Sequence, residues 1–229
     1  MTPVAEVREL TVAVDTGQWR ETVLDSVCFA VPAGRITALL GESGCGKSMV
    51  AAALTGSLPS VARSSGDVRI NGTVGLVPQS GVTAFAAERT VGAQLDVRQQ
   101  LYRGRSVEDA CKAAVCPMET LELFPHQLSS GQVQRAALAA ALLSEPDLLV
   151  VDEPSASLDC GTAYDVWASL RAYADTGAAV MTITHDGPLL LETGVADAMV
   201  FLRDGRTVAA GSPAEIRSLA DPYVQGFFP

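Results

Sequence analysis

Lysine and arginine are scarce in this chain, and their scarcity limits the partners the protein can have. The 229 residues include 16 Lys and Arg against 26 Asp and Glu, which gives a net charge of −10. Affinity for nucleic acid depends on clustered positive side chains that neutralise the phosphate backbone, so we expect no nucleic-acid partner. The acidic balance instead favours solubility.

Long apolar runs and an even set of cysteines are also missing. No uninterrupted apolar stretch approaches the ~20 residues that cross a bilayer, and the N-terminus lacks the pattern of a secretory signal. Five cysteines at scattered spacings indicate reduced thiols in the cytosol rather than a disulfide framework. Cys111 and Cys116 could form a metal pair, but two histidines in the whole chain cannot complete an obvious zinc site.

The most informative stretch is residues 41–48, which read GESGCGKS and match the phosphate-binding pattern GxxxxGK[ST]. A short apolar run precedes it and an alanine-rich segment follows, so the context is strand, loop and helix. The glycines let backbone N–H groups turn toward phosphate oxygens at a helix N-terminus. Lys47 adds a positive charge and Ser48 a hydroxyl for Mg²⁺. The sequence therefore predicts a nucleoside triphosphate site.

The first third of the chain has strand patterns on both sides of this loop. Alternating apolar residues at 4–14 and 23–31 predict two antiparallel strands. Residues 59–66 are typical of a loop, and the Asn71-Gly72 dipeptide predicts a hairpin between strands at 67–70 and 73–77. Gln79 follows the second of these strands.

Residues 81–127 are typical of a largely helical insertion. After it, Ser129 and Ser130 are candidate N-caps for a helix that begins in the sequence SSGQ and continues through an alanine-rich stretch. A helix end with hydroxyls and glycine is a second potential anion site.

Two further strands are predicted to end at chemically active side chains. Residues 148–151 are continuously apolar, as in a strand buried on both faces, and lead to Asp152 and Glu153. Residues 178–184 lead in the same way to His185. Ligands of open α/β sheets bind at the carboxyl edge, where these side chains would meet. A hairpin at Asp204-Gly205 and a capped helix beginning near Ser212 follow.

Together these motifs resemble the nucleotide-binding subunit of ATP-binding-cassette (ABC) transporters, over essentially the whole chain. Residues 41–48 are similar to the Walker A loop of that family, and Gln79 to its Q-loop glutamine. Residues 128–132 are similar to its signature sequence, 148–152 to Walker B, and 157–159 to its D-loop. Glu153 stands at the catalytic-glutamate position and His185 at the switch histidine. The order of the motifs makes the resemblance specific.

The resemblance implies a P-loop NTPase fold of the α/β class, with a RecA-like parallel core sheet, an antiparallel β subdomain and an inserted helical subdomain. We expect one ABC ATPase domain over residues 1–229, with the core at 1–80 and 139–229 and the helical subdomain at 81–138.

The resemblance also implies the site residues. ATP and Mg²⁺ would be bound by the Walker A residues and several others, and Glu153, His185 and Lys47 would act in catalysis. The nucleotide-binding residues are Gly41, Ser43, Gly44, Cys45, Gly46, Lys47, Ser48, Gln79, Ser129, Gly131 and Asp159. The candidate metal ligands are Ser48, Gln79 and Asp152. Two of these residues have a non-functional alternative: Gln79 could be an ordinary surface loop residue, and His185 could have a structural role.

ATP would lie between Walker A of one chain and the signature helix of another, so the expected partners are a second ATPase subunit, identical or different, and transmembrane permease subunits. An extracellular solute-binding protein would join them in an importer. The expected location is the cytoplasmic face of the membrane. The amino-acid sequences of the motifs are most like those of the dipeptide, oligopeptide and nickel importer branch. The alternatives are a soluble ABC ATPase outside transport and a catalytically weak regulatory cassette.

The signature sequence and the aromatic residues show departures from the usual pattern of the family. Ser130 stands where the signature usually has a second glycine. Val14, near the position expected for an adenine-stacking aromatic, is not aromatic, and Trp19 in a nearby turn is the alternative. Trp167 and the aromatics of the C-terminal tail are expected to serve packing, and that tail ends where the importer branch usually has a further extension.

Overall fold

The computed structural model describes residues 3–156 and 158–228. It has nine strands: β1 (Ala5–Asp15), β2 (Arg20–Val31), β3 (Ile36–Gly41), β4 (Ala62–Ile70), β5 (Val74–Val77), β6 (Leu148–Asp152), β7 (Ala179–Ile183), β8 (Ala198–Arg203) and β9 (Arg206–Gly211). Eight α-helices accompany them within the described residues: α1 (Lys47–Leu54), α2 (Val91–Tyr102), α3 (Val107–Ala113), α4 (Ser130–Leu142), α5 (Cys160–Asp175), α6 (Gly187–Thr193), α7 (Pro213–Ser218) and α8 (Pro222–Gln225). Short 3₁₀ turns lie at Gly81–Ala84, Met118–Glu122 and Pro125–Gln127.

The strands form two sheets. A three-stranded antiparallel sheet has the order β2-β1-β4, and a six-stranded sheet has the order β5-β6-β7-β3-β8-β9. All pairs in the larger sheet are parallel except β8 with β9. The predicted antiparallel pair near the N-terminus and the hairpin at Asp204-Gly205 are thereby confirmed.

The central strands β3, β6 and β7 of the larger sheet are buried on both faces, as the apolar strand sequences predicted. On β6, Leu149 and Val151 pack into one hydrophobic core with the helices α4 and α5. Leu148 and Val150 point the other way, into a second core shared with the antiparallel sheet and α1. Two-sided burial fixes the strand register and therefore the positions of the residues that follow each strand.

The hairpin predicted around Asn71-Gly72 is wrong. Residues 62–70 pair with β1 in the small sheet, whereas Val74–Val77 pair in parallel with β6 in the large one. At this dipeptide the chain passes from the small sheet to the large one. The Asn71 side-chain amide donates to the Pro3 carbonyl, and the Asp147 carboxylate accepts from the backbone N–H and the hydroxyl of Thr73. The loop expected at 59–66 is also partly wrong, because β4 begins at Ala62.

The helical region contains α2, α3 and α4, and its expected boundary at 138/139 falls inside α4. No helix within the described residues combines the length and the apolar character that crossing a membrane requires. The five cysteines are all free thiols. Cys111 and Cys116 are both buried, and the Cys116 N–H donates to the Cys111 carbonyl at 2.8 Å. No metal-binding cluster of three or more His, Cys, Asp or Glu is present within 3–156 and 158–228.

Candidate nucleotide-binding site

A deep cavity lies at the carboxyl edge of the parallel sheet, where β3, β6 and β7 end side by side. Its volume is about 720 Å³, which is within the range of pockets that hold a whole cofactor. The lining residues are Val23, Gly41, Glu42, Ser43, Gly44, Gly46, Lys47, Ser48, Met49, Gln79, Asp152, Glu153, Ala156, His185 and Phe227. The structure therefore brings together the phosphate loop, Gln79, both carboxylates and His185.

The phosphate loop connects β3 directly to α1. Gly46 is the N-cap of α1 with a φ of 104°, a conformation that favours glycine. A Cβ at this position would also lie 2.5 Å from the Leu24 side chain and 3.0 Å from the Val23 carbonyl, so the neighbouring strand would have to adjust. No side chain caps the helix, which leaves its N-terminal end facing the cavity.

Lys47 is held across the mouth of the loop. Its Nζ donates to the carbonyl oxygens of Gly41 at 2.6 Å and Glu42 at 2.7 Å. The ammonium group is therefore positioned by the loop's own backbone beside the space that the loop encloses. An ammonium and a helix N-terminus at one place attract a polyanion.

Asp152 ends β6 with only 9% of its surface exposed. Burial, reinforced by the neighbouring Glu153 charge, raises the pKa of Asp152 to about 6, while Lys47 and a hydrogen bond with Ser48 act in the opposite direction. A buried carboxylate is costly without a cation. The Ser48 hydroxyl and the Asp152 carboxylate are adjacent hard oxygen donors and fit Mg²⁺, which takes few protein ligands. Gln79 is exposed at the rim of the cavity.

Glu153 and His185 form the polar pair at the sheet edge. The Glu153 Oε1 lies 2.8 Å from His185 Nδ1, and the Glu153 side chain is 10% exposed against 73% for His185. Glu153 has a φ of 53°, which is unusual for a residue with a Cβ. Its N–H donates to the Ile183 carbonyl at 2.8 Å, so β7 holds the strained backbone in place.

Other predicted nucleotide-binding residues do not line the cavity. Ser129 is exposed and caps α4, accepting from the Gln132 N–H at 3.2 Å, and Gly131 is buried in the first turn. Asp159 caps α5 by accepting from Thr162. Ser157, part of the expected D-loop, lies outside the described residues.

Cys45 and Trp19 also differ from the lining residues. Cys45 is buried beneath the loop, and burial raises the pKa of its thiol. Trp19 is 51% exposed in the turn between β1 and β2, where it does not line the cavity. Adenine stacking by Trp19 stays a prediction.

Sequence reasoning missed Val23, Met49 and Ala156 as lining residues, and it assigned Phe227 to packing alone. Phe227 does pack on Phe201, with ring centroids 5.4 Å apart, but it also faces the cavity. Nothing in the sequence around Phe227 marks that second contact, because it depends on how the C-terminal tail folds back. Trp167 is fully buried, as expected.

The fold and the cavity define a P-loop nucleotide-binding protein of the α/β class. A family model described as ABC transporter matches residues 24–156. The chain belongs to the ABC transporter family. The predicted family and the P-loop fold are therefore confirmed, and the ATPase class is confirmed at the level of the family.

Known proteins of this family are similar over most of the chain. The oligopeptide transport ATP-binding protein OppD of Mycobacterium tuberculosis is 32% identical over 99% of this chain and 41% of its own length. The chain thus spans about two fifths of that relative. The metal-staphylopine import system ATP-binding protein CntD of Staphylococcus aureus is 29% identical over 90% of this chain and 84% of its own. A solved ATP-binding subunit of an ABC transporter is 25% identical, with a TM-score of 0.81 and coverage of 98% of both chains.

Proposed function

We propose that this chain binds and hydrolyses ATP with Mg²⁺ and powers an ABC transporter. The observation that carries the proposal is the single cavity edge at which the phosphate loop, Asp152, Glu153 and His185 meet. Phosphoryl transfer to water needs neutralised phosphate charge and a positioned nucleophile. These residues can supply both.

The residues of the chain divide this work. Backbone N–H groups of the phosphate loop and the Lys47 ammonium would bind the triphosphate. Ser48 and Asp152 would hold Mg²⁺, with Gln79 as a further ligand from the rim; when bound, the ion neutralises phosphate charge. Glu153 would accept a proton from the attacking water, and His185, bonded to Glu153 at 2.8 Å, would keep the carboxylate oriented.

The exposed N-terminus of α4 supports a shared site between two chains. Ser129 and Gly131 would reach the triphosphate of a partner subunit, because they do not line the cavity of their own chain. Asp159 would lie near the same interface. Closure on ATP and release after hydrolysis would follow from the different affinity of the two states.

We further propose import of peptides or metal complexes, at the cytoplasmic face of a membrane, with permease subunits and a solute-binding protein as partners. The names of OppD and CntD support this direction. A soluble ABC ATPase outside transport and a regulatory cassette with weak turnover are the alternatives.

Two measurements test the proposal. The purified chain should release phosphate from ATP only when Mg²⁺ is present, and it should copurify with polytopic membrane proteins from native membranes solubilised in mild detergent. Absence of Mg²⁺-dependent hydrolysis would favour the regulatory cassette. Hydrolysis without any membrane partner would favour the soluble ATPase.

A further inference from the structure

The C-terminal segment, residues 221–228, packs against Phe201 and Leu202 of β8 and contacts two separate parts of the nucleotide cavity. It contains the short helix α8, with Asp221 as its N-cap. One contact is made by the Tyr223 hydroxyl and the other by Phe227. Neither residue belongs to the motifs that suggested the function.

The Tyr223 hydroxyl bridges the phosphate loop to β8. It accepts from the Glu42 N–H at 3.2 Å and donates to the Leu202 carbonyl at 2.6 Å. Burial raises the pKa of the phenol, so the group stays protonated near neutral pH and can donate while it accepts. The backbone amide of Glu42 is thereby tied to the strand that neighbours β3.

The aromatic ring that carries this hydroxyl is fixed on two sides. Arg203 stacks over it at 5.2 Å, and the Phe227 ring meets it edge-on at 5.4 Å. Such contacts restrict an aromatic ring to one orientation. The hydroxyl is therefore a preorganised acceptor rather than a mobile one.

Phe227 extends the segment to the other side of the cavity. Its backbone carbonyl lies so close to Gly187 that a Cβ there would clash with it. Gly187 comes two residues after His185 and begins α6. The same short segment thus contacts both the phosphate loop and the stretch that carries His185.

We propose that Tyr223 is a positioning residue for the phosphate loop: its hydroxyl fixes the Glu42 amide so that the loop is preformed for the triphosphate. This inference rests on the proposed ATP-binding function. A preformed loop does not have to be ordered when nucleotide binds, so the hydrogen bond from Glu42 to Tyr223 should increase the affinity for ATP. Loss of one such hydrogen bond should weaken ATP binding about three- to tenfold.

The test compares Tyr223→Phe with Tyr102→Phe. Phenylalanine at 223 removes the hydroxyl and keeps the ring between Arg203 and Phe227. Tyr102 is an exposed residue at the end of α2 that does not line the cavity. ATP affinity is measured by equilibrium binding with Mg²⁺, KM and kcat by phosphate release, and the melting temperature without nucleotide.

We expect Tyr223→Phe to raise both Kd and KM for ATP by about three- to tenfold with kcat within about twofold of the wild type, and Tyr102→Phe to change none of them. A Kd within twofold of the wild type overturns the inference, whether or not the melting temperature falls. Should Tyr223→Phe not fold, Arg203→Gln, which loosens the ring, should shift Kd in the same direction, and an unchanged Kd would again overturn it.

The result also separates this inference from the proposed function. If the wild-type chain does not bind ATP, the function itself fails. If the wild type binds ATP and Tyr223→Phe and Tyr102→Phe bind it as tightly as the wild type, only the proposed role of Tyr223 is rejected.

Discussion

The two glycine- and serine-rich helix N-termini of this chain are built for different surroundings. The N-terminus of α1 has no side-chain cap, ends in Gly46 and faces a cavity of about 720 Å³ that also contains Lys47 and two buried carboxylates. The N-terminus of α4 has a complete capping box, in which the Ser129 hydroxyl accepts from Gln132 and the Gln132 side chain accepts from the Ser129 N–H at 2.9 Å. It is exposed and does not line that cavity.

The difference indicates which end can bind phosphate alone. Uncapped N–H groups beside an ammonium form a strong anion site. A capped end has already satisfied part of its hydrogen-bonding capacity and adds only a modest dipole until a second charged surface approaches. We therefore expect the α1 end to set the affinity of a single chain, and the α4 end to act only between chains.

Removing the Lys47 ammonium should have the largest effect on ATP binding. Lys47→Ala should weaken ATP binding about 10- to 100-fold, because a hydrogen bond between charged groups contributes about 1.5–3 kcal/mol, more than a neutral one. Equilibrium binding with Mg²⁺-ATP measures it. Lys112→Ala, on the exposed face of α3, is the matched control and should bind like the wild type. Normal affinity in Lys47→Ala would mean that the α1 end is not the primary phosphate site.

Replacing the Glu153 carboxylate should separate binding from turnover. Glu153→Gln keeps the size of the side chain but cannot accept the proton from water, so hydrolysis should fall by about 10²- to 10⁴-fold while ATP still binds. Phosphate release and equilibrium binding on the same sample provide the two values. Glu119→Gln, at an exposed position, is the control. Unchanged hydrolysis would reject Glu153 as the base.

Removing the Ser129 hydroxyl should weaken the association of chains without changing the ATP affinity of a single chain. In a Glu153→Gln background, Ser129→Ala should leave the Kd for ATP within about twofold but weaken ATP-dependent dimerisation, measured by light scattering after size-exclusion chromatography. Ser106→Ala is the matched control, because Ser106 caps α3 in the same way by accepting from the Asp109 N–H at 3.0 Å. Each variant should lose about 1 kcal/mol of stability. Equal dimerisation of the two variants would contradict a role for α4 between chains.

The sequence was sufficient to predict the phosphate loop at the α1 end, but it was insufficient to predict the long-range contacts that surround this loop. The loop, the strands leading to Asp152 and His185, and the Ser129 cap each depend on a local pattern of glycines, apolar runs or capping residues. The carboxyl-edge rule then placed the strand ends together. These features need no knowledge of distant contacts.

Long-range contacts were beyond local patterns. Asn71-Gly72 has the sequence of a hairpin turn, yet its flanking strands joined different sheets because Val74–Val77 is buried beside β6. Tyr223 contacts Glu42 across 181 positions of sequence, and no spacing rule links them. Phe227 likewise looks like any packing aromatic until the tail is placed.

The burial of Asp152 beside the α1 end should have the smallest effect, and that effect is on stability. Burial raises the folded-state pKa of Asp152 to about 6 from 3.8, so the folded protein binds more protons than the unfolded chain between those values. Stability of the nucleotide-free protein should therefore fall as pH rises through that window, and stay lower above it. Asp152→Asn removes this penalty, although it also loses the interactions with Lys47 and Ser48.

The net gain from Asp152→Asn should be about 1 kcal/mol, or about 2–4 °C in Tm near neutral pH, with the advantage vanishing in acid. Thermal unfolding across the pH range, without nucleotide or Mg²⁺, measures it, with Asp96→Asn at an exposed position of α2 as the control. A lower Tm for Asp152→Asn at neutral pH would show that Lys47 and Ser48 already neutralise this carboxylate. The α1 end would then be balanced by the chain itself, and Mg²⁺ would gain little from the burial of Asp152.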